Sequence, residues 1–263
     1  MAAHDELDGP FAKRYVALGD SFTEGVGDID PSSPNGVRGW ADRVAAQLIE
    51  NDDSWGYANL AIRGKKFQQV LDEQLDAAIA LSPTLVTFYA GGNDILRPVV
   101  NLDGIMERYR WALQKLVDSG ARVVVFTGFD SGKAPMFRAT RGRTAIYNEY
   151  VRKFVEDLDL DLVDFWHMKQ FQDWRYWDPD RMHLGIEGHI LMAKEVLKVL
   201  GEKDGIDEPE LQDPPVSSLP GRIFAEAVWT KDYFYPWVKR RVAGRSSGDN
   251  MSNKYPKLTH RIW

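Results

Sequence analysis

Residues 14–21 read Arg-Tyr-Val-Ala-Leu-Gly-Asp-Ser, a run of aromatic, β-branched and aliphatic side chains that ends in turn-forming residues. Such a run is typical of a buried β-strand followed by a tight turn. Residues 84–94 repeat the arrangement with Thr-Leu-Val-Thr-Phe-Tyr-Ala-Gly-Gly-Asn-Asp. Short apolar runs recur at residues 57–62, 123–127 and 160–165. The sequence therefore predicts five strands separated by long connections.

The connections between these strands carry apolar residues at three- and four-residue steps, which is the period of an amphipathic helix. Helices are expected at residues 40–48, 67–78, 105–117, 146–158 and 186–200. Strands that alternate with helices of this length predict an α/β fold, because each crossover helix must pack back on a parallel sheet. We expect a three-layer α/β/α sandwich around a flavodoxin-like parallel five-stranded sheet, with ligands bound beyond the carboxyl ends of the strands.

The composition fits one large core, since 44% of the 263 residues are hydrophobic and 12% are aromatic. A net charge of −6 argues against nucleic acid as a partner, because phosphate neutralisation needs a basic surface. The chain has no cysteine, which excludes disulfides, thiolate nucleophiles and Cys-ligated zinc. Residues 1–11 lack the apolar centre of a secretory signal, and no window reaches roughly 18 apolar residues. No stable membrane insertion is expected, and cytoplasmic localisation is the simplest prediction.

The helical period ends near residue 202, and prolines at positions 209, 214, 215 and 220 predict a linker. We therefore expect one domain over residues 1–203 and, over residues 204–263, a linker and a C-terminal aromatic and basic extension. Between residues 214 and 263, nine Lys and Arg against three Asp and Glu give a net charge of +6, which leaves −12 for the rest of the chain. Opposite charges favour packing of the extension on its own body or on a neighbouring subunit of a homo-oligomer.

The extension contains one expected helix, in which Trp229, Tyr233, Phe234 and Trp237 recur at helical spacing. Pro236 would interrupt this helix or start a second one, so its continuity is open. An aromatic face of this kind has to be covered, either by the α/β body or by another subunit. An exposed arm that binds a partner or a membrane surface is the alternative.

Four short segments that follow predicted strands or lie in the final loop carry the side chains with chemical function. They are Leu18–Phe22, Asn59–Gly64, Gly91–Asp94 and Asp180–His183. In this order the four resemble the sequence blocks of the SGNH hydrolases, the GDSL-type esterase and lipase family, over residues 14 to about 200. Phe22 stands where the family's name motif has Leu, at a packing position. The resemblance implies a carboxylic ester hydrolase that needs no cofactor.

Ser21 lies on the turn predicted after the first strand, where a nucleophile would be exposed. A serine hydroxyl is a weak nucleophile unless a base removes its proton, and that base must be held in the right tautomer. Asp180 lies three residues before His183, so one turn can bring its carboxylate to one imidazole nitrogen while the other faces Ser21. Ser21, Asp180 and His183 are the expected catalytic residues. Asp178 is the second candidate for the partner of His183.

By the same resemblance, the oxyanion hole consists of the backbone N–H groups of Ser21 and Gly64 and the side-chain amide of Asn93. Such donors stabilise the charge that develops on the attacked carbonyl oxygen. Glycine at position 64 permits close backbone approach, and Asn93 donates a hydrogen bond that an ionised Asp could not. No metal site is expected. The expected partner is a small-molecule ester, and the short loops around Gly64 and Asn93 favour short acyl groups such as acetyl.

The other polar residues near these segments have structural interpretations. Asp20 and Asp94 are expected to hold turns and cap helix starts. His189 is interpreted as a packed or capping residue at the start of the last helix. The remaining histidines are expected to lack an acidic partner in an adjacent turn, and they are His4, His167 and His260.

Alternatives from other classes have weaker support. An α/β-hydrolase lipase needs G-x-S-x-G, and Thr23 stands at its second glycine. A metallophosphoesterase would need clustered metal ligands, whereas the five histidines are scattered. A dinucleotide site would need a third glycine at the required spacing after Gly25 and Gly27. The open alternative is a non-catalytic binding or scaffold protein with the same fold, which predicts no covalent labelling of Ser21.

Overall fold

A six-stranded sheet lies at the centre of the computed structural model, which describes residues 11–134, 137–213 and 219–262. Its strands are β1 (Lys13–Gly19), β2 (Trp55–Asn59), β3 (Leu85–Tyr89), β4 (Arg122–Phe126), β5 (Asp161–Val163) and β6 (Tyr255–Thr259). They lie side by side in the order β5-β4-β3-β1-β2-β6. Strands β1 to β5 pair in parallel, in the order typical of flavodoxin-like folds. The predicted parallel sheet is therefore present.

The prediction of a five-stranded sheet is wrong in one respect, because the C-terminal extension supplies an antiparallel sixth strand. Strand β6 pairs with β2, with Tyr255 opposite Asn59 and Thr259 opposite Tyr57. Pro256 lies inside β6. Because proline has no N–H to donate to a neighbouring strand, its presence argued against a strand at this position. Proline is tolerated at the edge of a sheet, and β6 is the edge strand beyond β2.

Helices cover both faces of the sheet, as a three-layer arrangement requires. They are α1 (Ser21–Glu24), α2 (Gly39–Asn51), α3 (Phe67–Val70), α4 (Asp76–Ala80), α5 (Gly92–Ile95), α6 (Leu102–Asp118), α7 (Arg141–Leu158), α8 (Ile186–Leu200), α9 (Leu219–Trp229) and α10 (Tyr235–Val242). A π-helical turn joins α3 to α4, so this pair corresponds to the single helix predicted at residues 67–78. None of the helices in the described ranges has the length and apolar character needed to cross a lipid bilayer.

Successive side chains of β1 point to opposite faces of the sheet, and the core therefore consists of two layers. Val16 and Leu18 point to the side covered by α6 and α7. Tyr15 and Ala17 point to the opposite side, which α2 and α8 cover. These four side chains are at most 1% exposed, and complete burial of a Val or Leu contributes about 1.5–3 kcal/mol. The two apolar layers hold the sheet rigid and fix the positions of the loops at its carboxyl edge.

The aromatic segment of the extension forms a helical arm over residues 219–242. This arm runs through α9, a π-helical turn at Thr230–Phe234 and α10. Pro236 is the second residue of α10, and the wider turn before it accommodates a residue that has no N–H to donate. Proline therefore does not end the helix, and the helix predicted here is confirmed. The linker prolines 214 and 215 and residues 1–10 lie outside the described residues.

A buried ion pair attaches the extension to the body. The ammonium of Lys254, directly before β6, pairs with the carboxylate of Asp42 on α2, and both side chains are fully buried. The same ammonium donates to the backbone carbonyls of Arg38 at 2.6 Å and Glu24 at 2.9 Å. Asp42 also accepts a hydrogen bond of 2.7 Å from the hydroxyl of Tyr57. The extension thus contacts its own body, while the boundary at residue 203 and a homo-oligomer stay predictions.

Candidate active site

Ser21 is the first residue of α1, directly after the turn that follows β1 at the carboxyl edge of the sheet. Gly19 enters this turn with φ +151°, and a Cβ there would come within 2.5 Å of the Tyr89 carbonyl oxygen, so the position requires glycine. Asp20 caps α1 by accepting the Phe22 N–H at 3.2 Å, as predicted. The chain reverses abruptly at this point and leaves the side chain of Ser21 half-buried at the wall of a cavity.

Ser21, His183 and Asp180 form one chain of hydrogen bonds. The Nε2 atom of His183 lies 3.0 Å from Ser21 Oγ. Its Nδ1 atom lies 2.6 Å from Asp180 Oδ2. With the proton on Nδ1 directed at Asp180, Nε2 is left to accept the hydroxyl proton of Ser21. The structure therefore brings together the three residues that the sequence analysis selected.

A tight turn fixes the distance between Asp180 and His183. The second carboxylate oxygen of Asp180 accepts the backbone N–H groups of Met182 at 2.7 Å and His183 at 2.9 Å. Arg181, which directly follows Asp180 in this turn, adopts a left-handed conformation with φ +58°. Asp178, the second candidate partner of His183, instead accepts the Asp180 N–H at 2.9 Å. Asp178 thus shapes the turn, and Asp180 contacts the imidazole.

An Asp–His pair with the same spacing occurs a second time in the chain. Nδ1 of His167 lies 2.7 Å from Asp164, so the expectation that His167 lacks an acidic partner is wrong. The side chain of His167 is 70% exposed, whereas that of His183 is 25% exposed. The carboxylate of Asp164 also accepts a hydrogen bond of 3.0 Å from the guanidinium of Arg152, so its negative charge is divided between Arg152 and His167. Spacing alone thus predicts two such pairs, and only one of them meets Ser21.

Two further polar residues have the structural roles expected of them. Asp94 accepts the Phe67 N–H at 2.8 Å and so caps the start of α3. His189 is fully buried, accepts the Trp40 N–H at Nδ1 and lies 3.1 Å from the Val26 carbonyl through Nε2. Burial lowers the pKa of His189 to about 4, so it stays neutral and links α8 to α2 and the loop after α1.

The charges around His183 favour its protonated form. Burial alone would lower the pKa of His183, but the carboxylate of Asp180, with Asp178 and Asp20 further away, raises it above its usual value. Burial alone would likewise raise the pKa of Asp180, yet His183 and the backbone donors of the turn hold it below its usual range. Asp180 is therefore ionised where His183 titrates, and the imidazole is neutral only on the alkaline side of a raised pKa.

This electrostatic environment predicts how ester hydrolysis depends on pH. We expect kcat/KM to rise between about pH 5 and 9, with a midpoint above the ordinary histidine value of about 6.5, because only neutral His183 can accept a proton. Asp178→Asn removes one negative charge and keeps an oxygen that can accept the Asp180 N–H, so the midpoint should move to lower pH. A profile without a midpoint, or a shift to higher pH in this variant, would contradict the assignment of His183 as the base.

Besides Ser21, the expected oxyanion donors are Gly64 and Asn93, which lie in two different loops. Hydrogen bonds of the Asn93 side chain connect both loops to the turn before Ser21. The amide of Asn93 donates to Asp20 Oδ2 and to the Lys65 carbonyl, both at 3.1 Å. It thereby connects the residue before Ser21 with the residue after Gly64. Asn93 lines the same cavity as Ser21 and His183. Gly64 has φ +75°, and the carbonyl of its neighbour Lys65 accepts the amide of Asn93, but neither Gly64 nor Lys65 is among the residues that line the cavity.

The residue that holds the loop around Gly64 was not predicted from the sequence. Glu24 is fully buried and accepts the backbone N–H of Arg63 at 2.6 Å, the Nε of that arginine at 3.0 Å and its Nη2 at 2.9 Å. A carboxylate bound in this bidentate way fixes both the side chain and the backbone of Arg63. Glu24 follows Ser21 by three residues, so one short helix orients Ser21 and the segment that contains Gly64. An acidic residue three positions after Ser21, in the turn of an expected nucleophile, was the available signal in the sequence.

A cavity of about 180 Å³ lies over Ser21 and His183, and its wall is largely apolar. Most of the wall comes from the loops after β4 and β5, but the arm of the extension also contributes. Its aromatic side chains include Phe129, Phe137, Trp174, Trp177 and Trp237. The contribution of Trp237 was not predicted, since nothing local in the sequence relates it to Ser21.

The profile of the GDSL-like Lipase/Acylhydrolase family matches residues 17–191, more than half of the chain. The chain belongs to this family. The resemblance identified from the four sequence blocks is thereby confirmed, and the protein is an esterase or acylhydrolase of the GDSL type.

Relatives of this chain include curated and structurally characterised esterases. GDSL esterase/lipase WDL1 of Oryza sativa subsp. japonica is 24% identical over 216 residues, which are 74% of this chain and 80% of the relative. Axe2, an acetylxylan esterase from Geobacillus stearothermophilus, is 19% identical, with a TM-score of 0.59 over 73% of this chain and 95% of its own. The psychrotrophic esterase EstA from Pseudoalteromonas sp. is 16% identical, with a TM-score of 0.56 over 72% and 97%. At these identities, the two solved structures support the fold alone.

Proposed function

We propose that this protein is a serine-dependent carboxylic ester hydrolase that acts through a covalent acyl-enzyme, with Ser21, His183 and Asp180 as its catalytic residues. The observation that carries the proposal is the continuous hydrogen-bonded chain from Ser21 Oγ through His183 to Asp180. A serine held in this way can transfer its proton as it attacks, which a serine that only caps a helix cannot do.

The reaction proceeds in two halves that use the same imidazole. Ser21 Oγ attacks the ester carbonyl carbon while His183 Nε2 takes the hydroxyl proton, and a tetrahedral oxyanion forms. The oxyanion collapses, the C–O bond to the alcohol breaks, and His183 returns its proton to the leaving oxygen. Water then attacks the acyl-enzyme and gives its proton to His183, and the acid is released as Ser21 regains its proton. Asp180 stabilises the imidazolium in both halves and stays ionised.

The oxyanion is assigned to the backbone N–H groups of Ser21 and Gly64 and the side-chain amide of Asn93. Removal of one such donor typically costs about 10²–10³ in kcat. What supports the assignment is the link that Asn93 makes between Asp20 and Lys65, together with the hold of Glu24 on Arg63. Both contacts restrain the loops that carry the proposed donors. Because the Asn93 amide has two N–H groups and donates to Asp20 and Lys65, it would exchange one of these acceptors for the oxyanion when charge develops.

A reactive fluorophosphonate tests the nucleophile directly. We expect the native protein to gain one phosphonyl group on Ser21, which peptide mass spectrometry locates, and Ser21→Ala to gain none. Ser131→Ala is the matched control, because Ser131 lines the same cavity and should leave labelling at Ser21 intact. Absence of labelling in the native protein would favour the non-catalytic binding protein.

Short acyl esters, acetyl above all, are the proposed substrates. The short loops beside Asn93 support this preference, and one structural relative is named as an acetylxylan esterase. We expect kcat/KM for p-nitrophenyl esters to be highest for acetate or butyrate and to fall as the acyl chain lengthens, because the cavity beside Ser21 is small. A maximum at a long-chain ester would reverse the proposal and leave the nucleophile assignment untouched.

A further inference from the structure

The arm of the extension is attached to the turn that carries His183. The indole N–H of Trp229 donates to the carbonyl of Asp180 at 3.3 Å. Glu226 binds the guanidinium of Arg181 through two hydrogen bonds, of 2.9 and 2.7 Å, and this guanidinium lies 4.7 Å from the ring centre of Trp229. The arm therefore contacts two consecutive residues of the Asp180–His183 turn by a hydrogen bond, an ion pair and a cation–π contact.

A row of stacked rings leads from this attachment into the active-site cavity. The ring centres of Trp229 and Phe234 are 5.8 Å apart, and those of Phe234 and Trp237 are 6.1 Å apart, with interplanar angles of 23° and 26°. Trp237, the last ring of the row, is half-buried and lines the cavity together with Ser21 and His183. Its position is thus set by the contacts that the arm makes with the His183 turn.

The chemistry of the proposed reaction assigns the two sides of the cavity. His183 must return its proton to the leaving alcohol, so the alcohol portion of the ester has to lie on the His183 side of Ser21. The acyl oxygen lies on the other side, toward the loop with Asn93. The arm is attached at Asp180 and Arg181, beside His183, and from this attachment we infer that the ring of Trp237 faces the alcohol side.

On the basis of the proposed function, we propose that Trp237 is a specificity-determining residue that stacks on a ring in the alcohol portion of the substrate. A flat indole face binds another flat ring face, either an aromatic ring or the apolar face of a sugar, and Trp174 and Trp177 extend the same aromatic wall. The preferred substrate class is therefore a short acyl ester of a ring-bearing alcohol. The family match ends at residue 191, so this selectivity comes from a segment outside it.

The test compares acetate esters that form the same acetyl-enzyme and differ only in the alcohol. Phenyl acetate and an acetylated methyl glucoside carry rings, and ethyl acetate does not. Trp237→Ala should lower the kcat/KM of at least one ring ester, relative to ethyl acetate, by about five- to tenfold, and Trp237→Phe should retain most of the native ratio. A fall for phenyl acetate alone assigns an aromatic ring, and a fall for the glucoside alone assigns a sugar.

Two further variants separate stacking from a loss of structure. Phe224→Ala changes an aromatic residue of the same arm that is 72% exposed, and it should leave the ratio at its native value. Glu226→Gln weakens the attachment of the arm without altering Trp237, and it should lower the same ratio by a smaller factor. Equal losses for ring and non-ring esters in Trp237→Ala, or unchanged ratios, would overturn the proposal. Failure of the proposed function would appear separately, as a native protein that a fluorophosphonate does not label.

Discussion

Ser21→Ala should lower kcat for p-nitrophenyl acetate by about 10⁴–10⁶, and His183→Ala should lower it by a similar factor. The two losses are similar because neither residue can carry out its step without the other, so the double variant should be little worse than either single one. Steady-state kinetics of the two single variants and the double variant, at a pH above the midpoint of His183 titration, measures these losses. Circular dichroism verifies that each variant is folded. Asp180→Asn should be milder, since the imidazole remains and loses only its orientation and stabilisation.

The second Asp–His pair provides a matched control for this experiment. His167→Ala removes an imidazole that also lies against an aspartate three residues earlier, but one that is 70% exposed and not among the residues that line the cavity with Ser21. Its kcat should stay at the native value. Native turnover in Ser21→Ala, or a loss in His167→Ala as large as that in His183→Ala, would show that the catalytic residues have been assigned to the wrong place.

The comparison of these two pairs illustrates what the sequence could and could not predict about the site. Both aspartates precede their histidines by three residues, so local spacing cannot distinguish them. His183 was selected because Asp180–His183 resembles the last of the four SGNH blocks, and the pairing of His167 with Asp164 was not foreseen. The other three blocks lie at the ends of predicted strands. Parallel strands bring such ends to one edge of the sheet, which is why residues 162 positions apart could be assigned to one site.

The extension was harder to predict because its contacts depend on tertiary structure alone. Net charge predicted attraction between a basic extension and an acidic body, and the pair between Lys254 and Asp42 has that polarity. The contact of Arg181 with Glu226 has the opposite polarity, with the base on the body and the acid on the extension. Charge totals thus favoured association but could not identify partners, and neither β6 nor the position of Trp237 follows from a local pattern.

Loss of the buried cation should strongly destabilise the fold. Lys254→Met leaves Asp42 fully buried without its counter-ion, and removal of one partner of a buried pair typically costs about 3–5 kcal/mol of unfolding free energy. For a chain of this size the midpoint of thermal unfolding should fall by roughly 6–20 °C. Lys257→Met, an exposed lysine on the same strand, is the control and should change the stability little. Truncation after Gln212 removes Lys254 and β6 together and should cost at least as much.

The pH dependence of this loss identifies its cause. Burial raises the pKa of Asp42 to about 6 even beside Lys254, so the native state binds a proton more tightly than the unfolded chain does. A carboxyl group of this kind favours the folded state at low pH, and that contribution is lost as pH rises through the folded pKa. Without Lys254, burial of the ionised Asp42 carboxylate costs even more free energy. The loss of unfolding free energy in Lys254→Met should therefore be larger at about pH 8 than at about pH 5.

Neutralisation of the aspartate should then restore much of the stability. In the double variant Asp42→Asn with Lys254→Met, the buried charge is gone, while the amide still accepts the hydroxyl of Tyr57. Urea unfolding should give a free energy between those of Lys254→Met and the native protein, and the extra deficit that Lys254→Met shows at about pH 8 should be absent. If the double variant were as unstable as Lys254→Met at both pH values, the deficit would arise from lost packing of the extension. The unpaired charge of Asp42 would then not be its cause.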